Sequence, residues 1–240
     1  MAPGIIWVSS RIVDPALTPK EFCTWYENTH IPEVTALPGV PRAERYEAMA
    51  IPSPSSESQK FLSDNAPWLT VYSMPDIEYR NTSAFRGLDG QSEPEESLLE
   101  NVFRHARFDT RFYEEMQVFE PAGPPVRPAT LLISAALQPA VGTDADFEAW
   151  YRQEHLRALS ECSGFRRTRR YRLVSGTSLD RFVRTSPEIP GYLALHEFQG
   201  EDFPWGELSG TAGTEWAKRV MGGLKMEEIG WFRLKRTYPE

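Results

Sequence analysis

Cysteine is almost absent from this chain: Cys23 and Cys162 are the only two in 240 residues. Two thiols make neither a disulfide framework nor a metal-ligand spacing, so a reducing compartment is the default. Long apolar runs are missing too, and none approaches the ~20 residues of a membrane-spanning helix. Residues 1–14 lack the basic region and extended apolar stretch of a secretion signal. A cytoplasmic location and no membrane partner are expected. Basic residues are outnumbered, 26 Lys and Arg against 34 Asp and Glu, giving a net charge of -8. That balance argues against a nucleic-acid partner, since phosphate binding needs a basic surface. The one dense basic cluster, Arg166, Arg167, Arg169 and Arg170, reads as a solvated strand edge that resists edge pairing.

Catalytic signatures are also missing. No G-x-G-x-x-G follows a strand, and no Walker loop, H-E-x-x-H, C-x-x-C or G-x-S-x-G occurs, which disfavours nucleotide chemistry, zinc hydrolysis and a serine nucleophile. Glu154 beside His155 offers no metal face, because adjacent helical residues diverge by about 100°.

What the chain does contain is a repeat. Residues 18–46 recur at 143–171 with a constant offset and no gap. Thr18/Thr143, Phe22/Phe147, Trp25/Trp150, Tyr26/Tyr151 and His30/His155 coincide, as do Gly39/Gly164, Arg42/Arg167, Arg45/Arg170 and Tyr46/Tyr171. The same offset aligns Ser9 with Ser134. An internal repeat of this kind implies two similar halves: residues 1–121, a Pro-rich linker at 122–128, and residues 129–240.

Each half reads β-α-β-β-α-β. Ile5–Ile12 and Leu131–Leu137 are first strands, rich in apolar and β-branched residues. Thr18-Pro-Lys-Glu21 carries a full set of helix-start signals, and Thr143-Asp-Ala-Asp146 repeats them with shorter carboxylates. The helices place Phe22, Trp25, Tyr26 and His30, then Phe147, Trp150, Tyr151 and His155, on one stripe. Gly39 and Gly164 suit left-handed helix ends. Val40–Met49 and Phe165–Val174 are second strands, and Trp68–Met74 and Tyr192–Phe198 third strands, which makes Tyr72 and His196 equivalent. Ile51–Pro67 is a Ser- and Pro-rich loop. Ser92–Phe108 and Thr214–Met221 are second helices, followed by strands at Thr110–Phe119 and Ile229–Thr237. The fold class is α+β: two ferredoxin-like repeats.

The first block also carries Trp25, Tyr26, His30, Pro32, Leu37, Pro38 and Gly39, in a W-Y-x-x-x-H-x-P-x-x-x-x-L-P-G pattern. That pattern resembles the signature of EthD-like proteins in the dimeric α/β-barrel superfamily. In the second block Arg157 and Ser163 replace two of the prolines. The resemblance implies two ferredoxin-like sheets closing one barrel, here as a pseudo-dimer within a single chain. Further homodimerisation would not be needed to close it. The superfamily hosts cyclases, decarboxylases, isomerases, cofactor-free monooxygenases, haem enzymes and non-catalytic proteins, so the fold alone names no reaction.

Side chains must carry the functional argument. Four histidines occur, His30, His105, His155 and His196. His is the side chain whose ordinary pKa permits proton transfer either way near neutrality. His196, His30 and His155 are the candidate catalytic bases, with Tyr72 or another Tyr as donor. His30 and His155 equally suit a packing duty needed twice, whereas His196 faces Tyr72 across the repeat and marks a place where one half could specialise. Tyr26, Tyr46, Tyr151, Tyr171, Trp25 and Trp150 are candidate substrate contacts, with core packing as the competing role. The expected activity is a cofactor-independent acid/base reaction, a cyclisation, decarboxylation, dehydration or isomerisation, on a hydrophobic polyketide-like or phenolic molecule. Cofactor-free or haem-dependent monooxygenation is the first alternative, and a non-catalytic binding or stability protein the second.

Overall fold

The computed structural model describes residues 1–51, 61–121 and 129–239. The expected linker at 122–128 and most of the Ser-rich part of the 51–67 loop lie outside the described residues. Nine strands form among the described residues: β1 Gly4–Ile12, β2 Arg42–Ala48, β3 Trp68–Met74 and β4 Ala106–Phe119, then β5 Leu131–Pro139, β6 Phe165–Asp180, β7 Val183–Thr185, β8 Tyr192–Phe198 and β9 Leu224–Tyr238. Their order is β4-β1-β3-β2-β9-β5-β8-β6, and β4 also pairs with β6, so eight strands close a barrel. β7 is a short extension paired to β6. Every pairing is antiparallel. Each half contributes its strands in the order last, first, third, second, which is the ferredoxin-like arrangement. Closure removes the free edges that an isolated half would present.

Strand alternation gives the barrel two apolar surfaces. Ile5, Trp7, Tyr46, Leu69, Val71, Tyr113, Leu132, Tyr171, Leu193, Leu195 and Phe232 pack together from both halves and fill the interior. Near its middle the Trp7 indole donates to Ser134 Oγ at 3.0 Å. The outward faces instead carry one helical core over the first half and two over the second.

The helix over the first sheet begins as its sequence dictates. Thr18 caps Glu21 N–H, and Glu21 accepts from the Thr18 amide in a closed capping box. Thr143 caps nothing in the second half; its hydroxyl donates to the Ala140 carbonyl instead. Neither helix is a continuous α-helix. Pro19–Trp25 leads into a π-turn at Tyr26–His30 before Ile31–Thr35, and Asp144–Trp150 leads into a π-turn at Tyr151–His155 before Leu156–Ser160.

Three other expectations need correction. The Ser92–Phe108 helix reduces to Glu96–Asn101 and a 3-10 turn at Phe103–His105. From Ala106 onward, pairing with β1 and β6 overrides local helix preference. Gly39 is not left-handed; it is required because a Cβ would lie 2.1 Å from the Tyr79 ring. Gly164 does adopt φ +78. Finally, the Arg166–Arg170 run is no solvated edge, since β6 pairs on both sides. Arg167 and Arg169 each meet buried Glu197 at 2.8 Å, and Arg170 is 3% exposed.

Candidate active site

The two π-turns set the geometry of the site. In each, one extra residue enters the turn, so that Ile31 N–H reaches Tyr26 O and Leu156 N–H reaches Tyr151 O. The His ring then folds back on the preceding aromatics. Trp25 stacks on His30 with centroids 5.1 Å apart, and Trp150 on His155 at 4.2 Å. Tyr26–His30 and Tyr151–His155 both lie at 5.2 Å.

Beneath each Tyr lies a buried Arg that the repeat also preserves. Arg45 sits 4.7 Å from the Tyr26 ring centre, bonded to Thr70 at 3.1 Å and Glu27 at 3.4 Å. Arg170 sits 3.9 Å from the Tyr151 ring, held by Glu148 through bonds of 2.7 and 3.0 Å and by Gln117 at 3.0 Å. Paired and stacked in this way, a buried guanidinium remains tolerable.

On this common frame the halves differ. The second encloses a cavity of about 370 Å³ between its outward sheet face and the helices. Trp150, Tyr151, His155 and His196 line it, with Ile133, Ile229 and Trp231 from the sheet and Trp205, Leu208 and Thr211 from the Trp205–Thr211 helix. Ile51 and Phe61 reach it from the first half. The matching space beside Tyr26, His30 and Tyr72 measures only about 50 Å³.

Two aromatic side chains of the first half account for much of this contrast. His196 in β8 stands where β3 has Tyr72, whose hydroxyl donates to Tyr26 at 3.4 Å. Phe108 stacks on Tyr26 at 6.1 Å and contacts Phe103 at 5.4 Å, which plugs the first half. With His196 in place of Tyr72 the second half stays open, and the Tyr151 hydroxyl has no hydrogen bond among the described residues.

The two imidazoles of the cavity meet edge to face at 5.6 Å. His196 Nδ1 lies 2.9 Å from Thr168 Oγ1, which fixes the ring plane. Burial, with His155 and Arg170 nearby, holds His196 far below the ordinary histidine pKa. Burial, and then Arg170, lowers His155 to about 3; burial alone lowers His30 to about 4. All three are neutral at pH 7. Tyr151 is raised to about 12 by burial, against the pull of Arg170, and stays a donor.

His155, His196, Tyr151 and Trp150 are thus brought together. His30, Tyr26 and Tyr72 lie around the small space of the other half, and Trp25 packs on His30 and Phe103. Tyr72 cannot serve His196, because β2, β9 and β5 separate their strands. Tyr46 and Tyr171 do not reach either cavity: alternation turns both into the barrel interior. Thr168, Ile229, Trp205 and Trp231 were not among the sequence candidates. Thr168 and Ile229 could have been found only from strand register, and Trp205 had no repeat partner to mark it.

No protein-family model and no curated protein matches the sequence. Solved structures do match it. An anthrone oxidase-like protein superposes with a TM-score of 0.58 at 10% identity, over 98% of this chain and 92% of that one. A mutant chlorite dismutase from Candidatus Nitrospira defluvii gives 0.55 at 10% identity, over 97% and 92%. A candidate monooxygenase from Fusobacterium nucleatum gives 0.54 at 8% identity, over 98% and 94%. The chain shares their fold. At such identities the likeness extends to the ferredoxin-like barrel and its strand order, and no further.

Proposed function

We propose that this chain is a cofactor-free oxygenase acting on a hydrophobic, electron-rich aromatic molecule in the second-half cavity. The reading is carried by one observation: two neutral histidines face each other in a large apolar cavity whose counterpart is closed. It is supported by the fold shared with an anthrone oxidase-like protein and a candidate monooxygenase.

His196, its ring fixed by Thr168, takes a proton from a substrate carbon flanked by aromatic rings or a ketone. Burial disfavours a lone imidazolium, yet the carbanion formed beside it supplies the opposite charge that makes the ion pair tolerable. The Tyr151 hydroxyl stabilises that anion by donating to it. The anion gives one electron to dioxygen, and the caged radical pair joins to a peroxide. Loss of water, with the proton returned from His196, leaves a ketone. In balance, a methylene and one dioxygen become a carbonyl and one water. An acid/base lyase or isomerase would need only the first of these steps.

A haem does not fit the donor set. Its two propionates need cationic or other donor partners, and among the described residues no Lys or Arg lines the cavity. His155 Nδ1 is buried with no acceptor among those residues to steady it as an axial ligand. Nor, among the described residues, do three His, Cys, Asp or Glu side chains cluster as metal ligands.

Oxygen uptake by the purified protein with anthrone tests the reading. Consumption of about one O2 per quinone formed, lost in His196→Ala, is the expected result. Turnover that persists without oxygen would move the assignment to a lyase or isomerase. Binding without turnover would make it a carrier. We further assign the two halves, residues 1–121 and 129–240, to a tandem duplication of an EthD-like unit. The paired π-turns and the paired Arg–Tyr stacks support that origin.

A further inference from the structure

The wall of the second-half cavity carries no formal charge. Among the described residues no Lys, Arg, Asp or Glu lines it. The nearby cation, Arg170, is committed to Glu148 and covered by the Tyr151 ring. The hydroxyls on its helical side are committed as well: Ser209 donates to the Gly206 carbonyl and Thr211 to the Leu208 carbonyl. The polar groups left for a ligand are all neutral: the two imidazoles, the Tyr151 hydroxyl and the indole N–H groups of Trp150 and Trp231, which have no partner among the described residues. A neutral oxygen can bond to these. A carboxylate would shed its water with no cation to replace it.

Size sets a second limit. An apolar cavity of about 150 Å³ holds one benzene ring, and this one is about 370 Å³. That is room for two or three fused rings, and flat aromatic walls from Trp150, Trp205 and Trp231 suit a planar guest.

We propose that the site takes neutral fused-ring aromatics of two to three rings and rejects their carboxylated counterparts, because its wall is uncharged. This rests on the cavity being the substrate site, and not on the oxygen chemistry that follows binding.

The test compares 2-naphthamide with 2-naphthoate, equal in size and different in charge, by calorimetric titration of the full chain at pH 7.5. The amide is expected to bind, and the carboxylate to bind at least about a hundredfold more weakly. Ser209→Lys adds a cation at an exposed position on the cavity rim. It should shrink the gap to below about tenfold. Equal affinities in the unmodified protein, or an amide that does not bind, overturn the proposal. So does a Ser209→Lys variant that keeps the full gap. Oxygen uptake is read separately. A preserved gap without oxygen consumption ends the oxygenase reading alone, and oxygen consumption with equal affinities ends the charge rule alone.

Discussion

The Thr168 hydroxyl lies outside the cavity lining, yet it holds the residue on which the proposed chemistry depends. It is fully buried and holds His196 Nδ1 at 2.9 Å. Thr168→Val keeps the shape and removes the bond, leaving an unpaired buried nitrogen at a cost of about 1 kcal/mol. We expect kcat to fall roughly ten- to hundredfold, since a tilted base loses alignment, while ligand affinity changes little. Thr168→Ser should recover most of the rate. A KM that moves as much as kcat would give Thr168 a binding role instead. The buried histidines also predict acid sensitivity. The unfolded chain gains imidazolium charge below about pH 6.5, whereas folded His30 and His155 stay neutral down to about 4 and about 3. The unfolded state therefore binds more protons throughout that window, and stability falls as the pH drops through it. Denaturant melts from pH 7 to 4 should show this slope, and His30→Phe or His155→Phe should flatten it. At this scale the sequence was partly legible: the contrast of Tyr72 with His196 marked a position where the halves differ, but nothing in it said which half has room for a ligand. Arg45 and Arg170 were legible only as repeated charges, because nothing in a sequence says that a cation lies under a ring.

The π-turns belong to the next scale, and they are the feature that periodicity hid. An aromatic stripe with the spacing of Phe22, Tyr26 and His30 fits an uninterrupted α-helix as readily as a helix with one added residue. Only the packed structure distinguishes them. The added residue has a consequence that can be tested by removing it. Residues along an α-helix step by about 100°, so deletion of exposed Gln153 rotates Trp150 and Tyr151 away from His155. The 4.2 Å Trp150–His155 stack cannot survive that rotation. We expect the variant to keep its far-UV circular dichroism while losing at least tenfold in ligand affinity. Deletion of exposed Thr29 makes the same change in the first half, where the space is about 50 Å³. It should lower the melting temperature and leave binding nearly unchanged. Equal binding losses in the two variants would mean that the turns serve the fold rather than the site. Strand positions, by contrast, were legible to within a few residues for β1, β3, β5 and β8, because alternation and burial coincide there. β6 and β9 run longer than expected since their outer ends are held by pairing partners remote in sequence.

The repeat made two similar halves legible, and the barrel shows why neither is self-sufficient. Two seams join them: β2 with β9 from Ala43↔Tyr238 to Ala48↔Phe232, and β4 with β6 from Arg107↔Asp180 to Phe119↔Thr168. Trp7 of the first half bonds Ser134 of the second through the lumen, and the interior cluster draws on strands of both. The second-half cavity itself borrows Ile51 and Phe61 from the opposite half. Separating the halves would expose two strand edges and one face of the interior core on each, surfaces prone to association. The whole chain should therefore unfold in one cooperative step, with tryptophan fluorescence and far-UV circular dichroism giving coincident urea transitions. Residues 1–121 expressed alone should self-associate, as should 129–240, and mixing the two should restore a one-to-one complex that binds the aromatic probe. Two resolved transitions in the intact chain, or a monomeric half that binds the probe unaided, would show that the seams are contacts between independent domains. The asymmetry of the cavities then acquires a reason in the architecture. With both halves needed to close the barrel, packing matters in each, while the proposed site needs a cavity beside one histidine only. The other is free to fill that space with Tyr72 and Phe108 and return the loss as core.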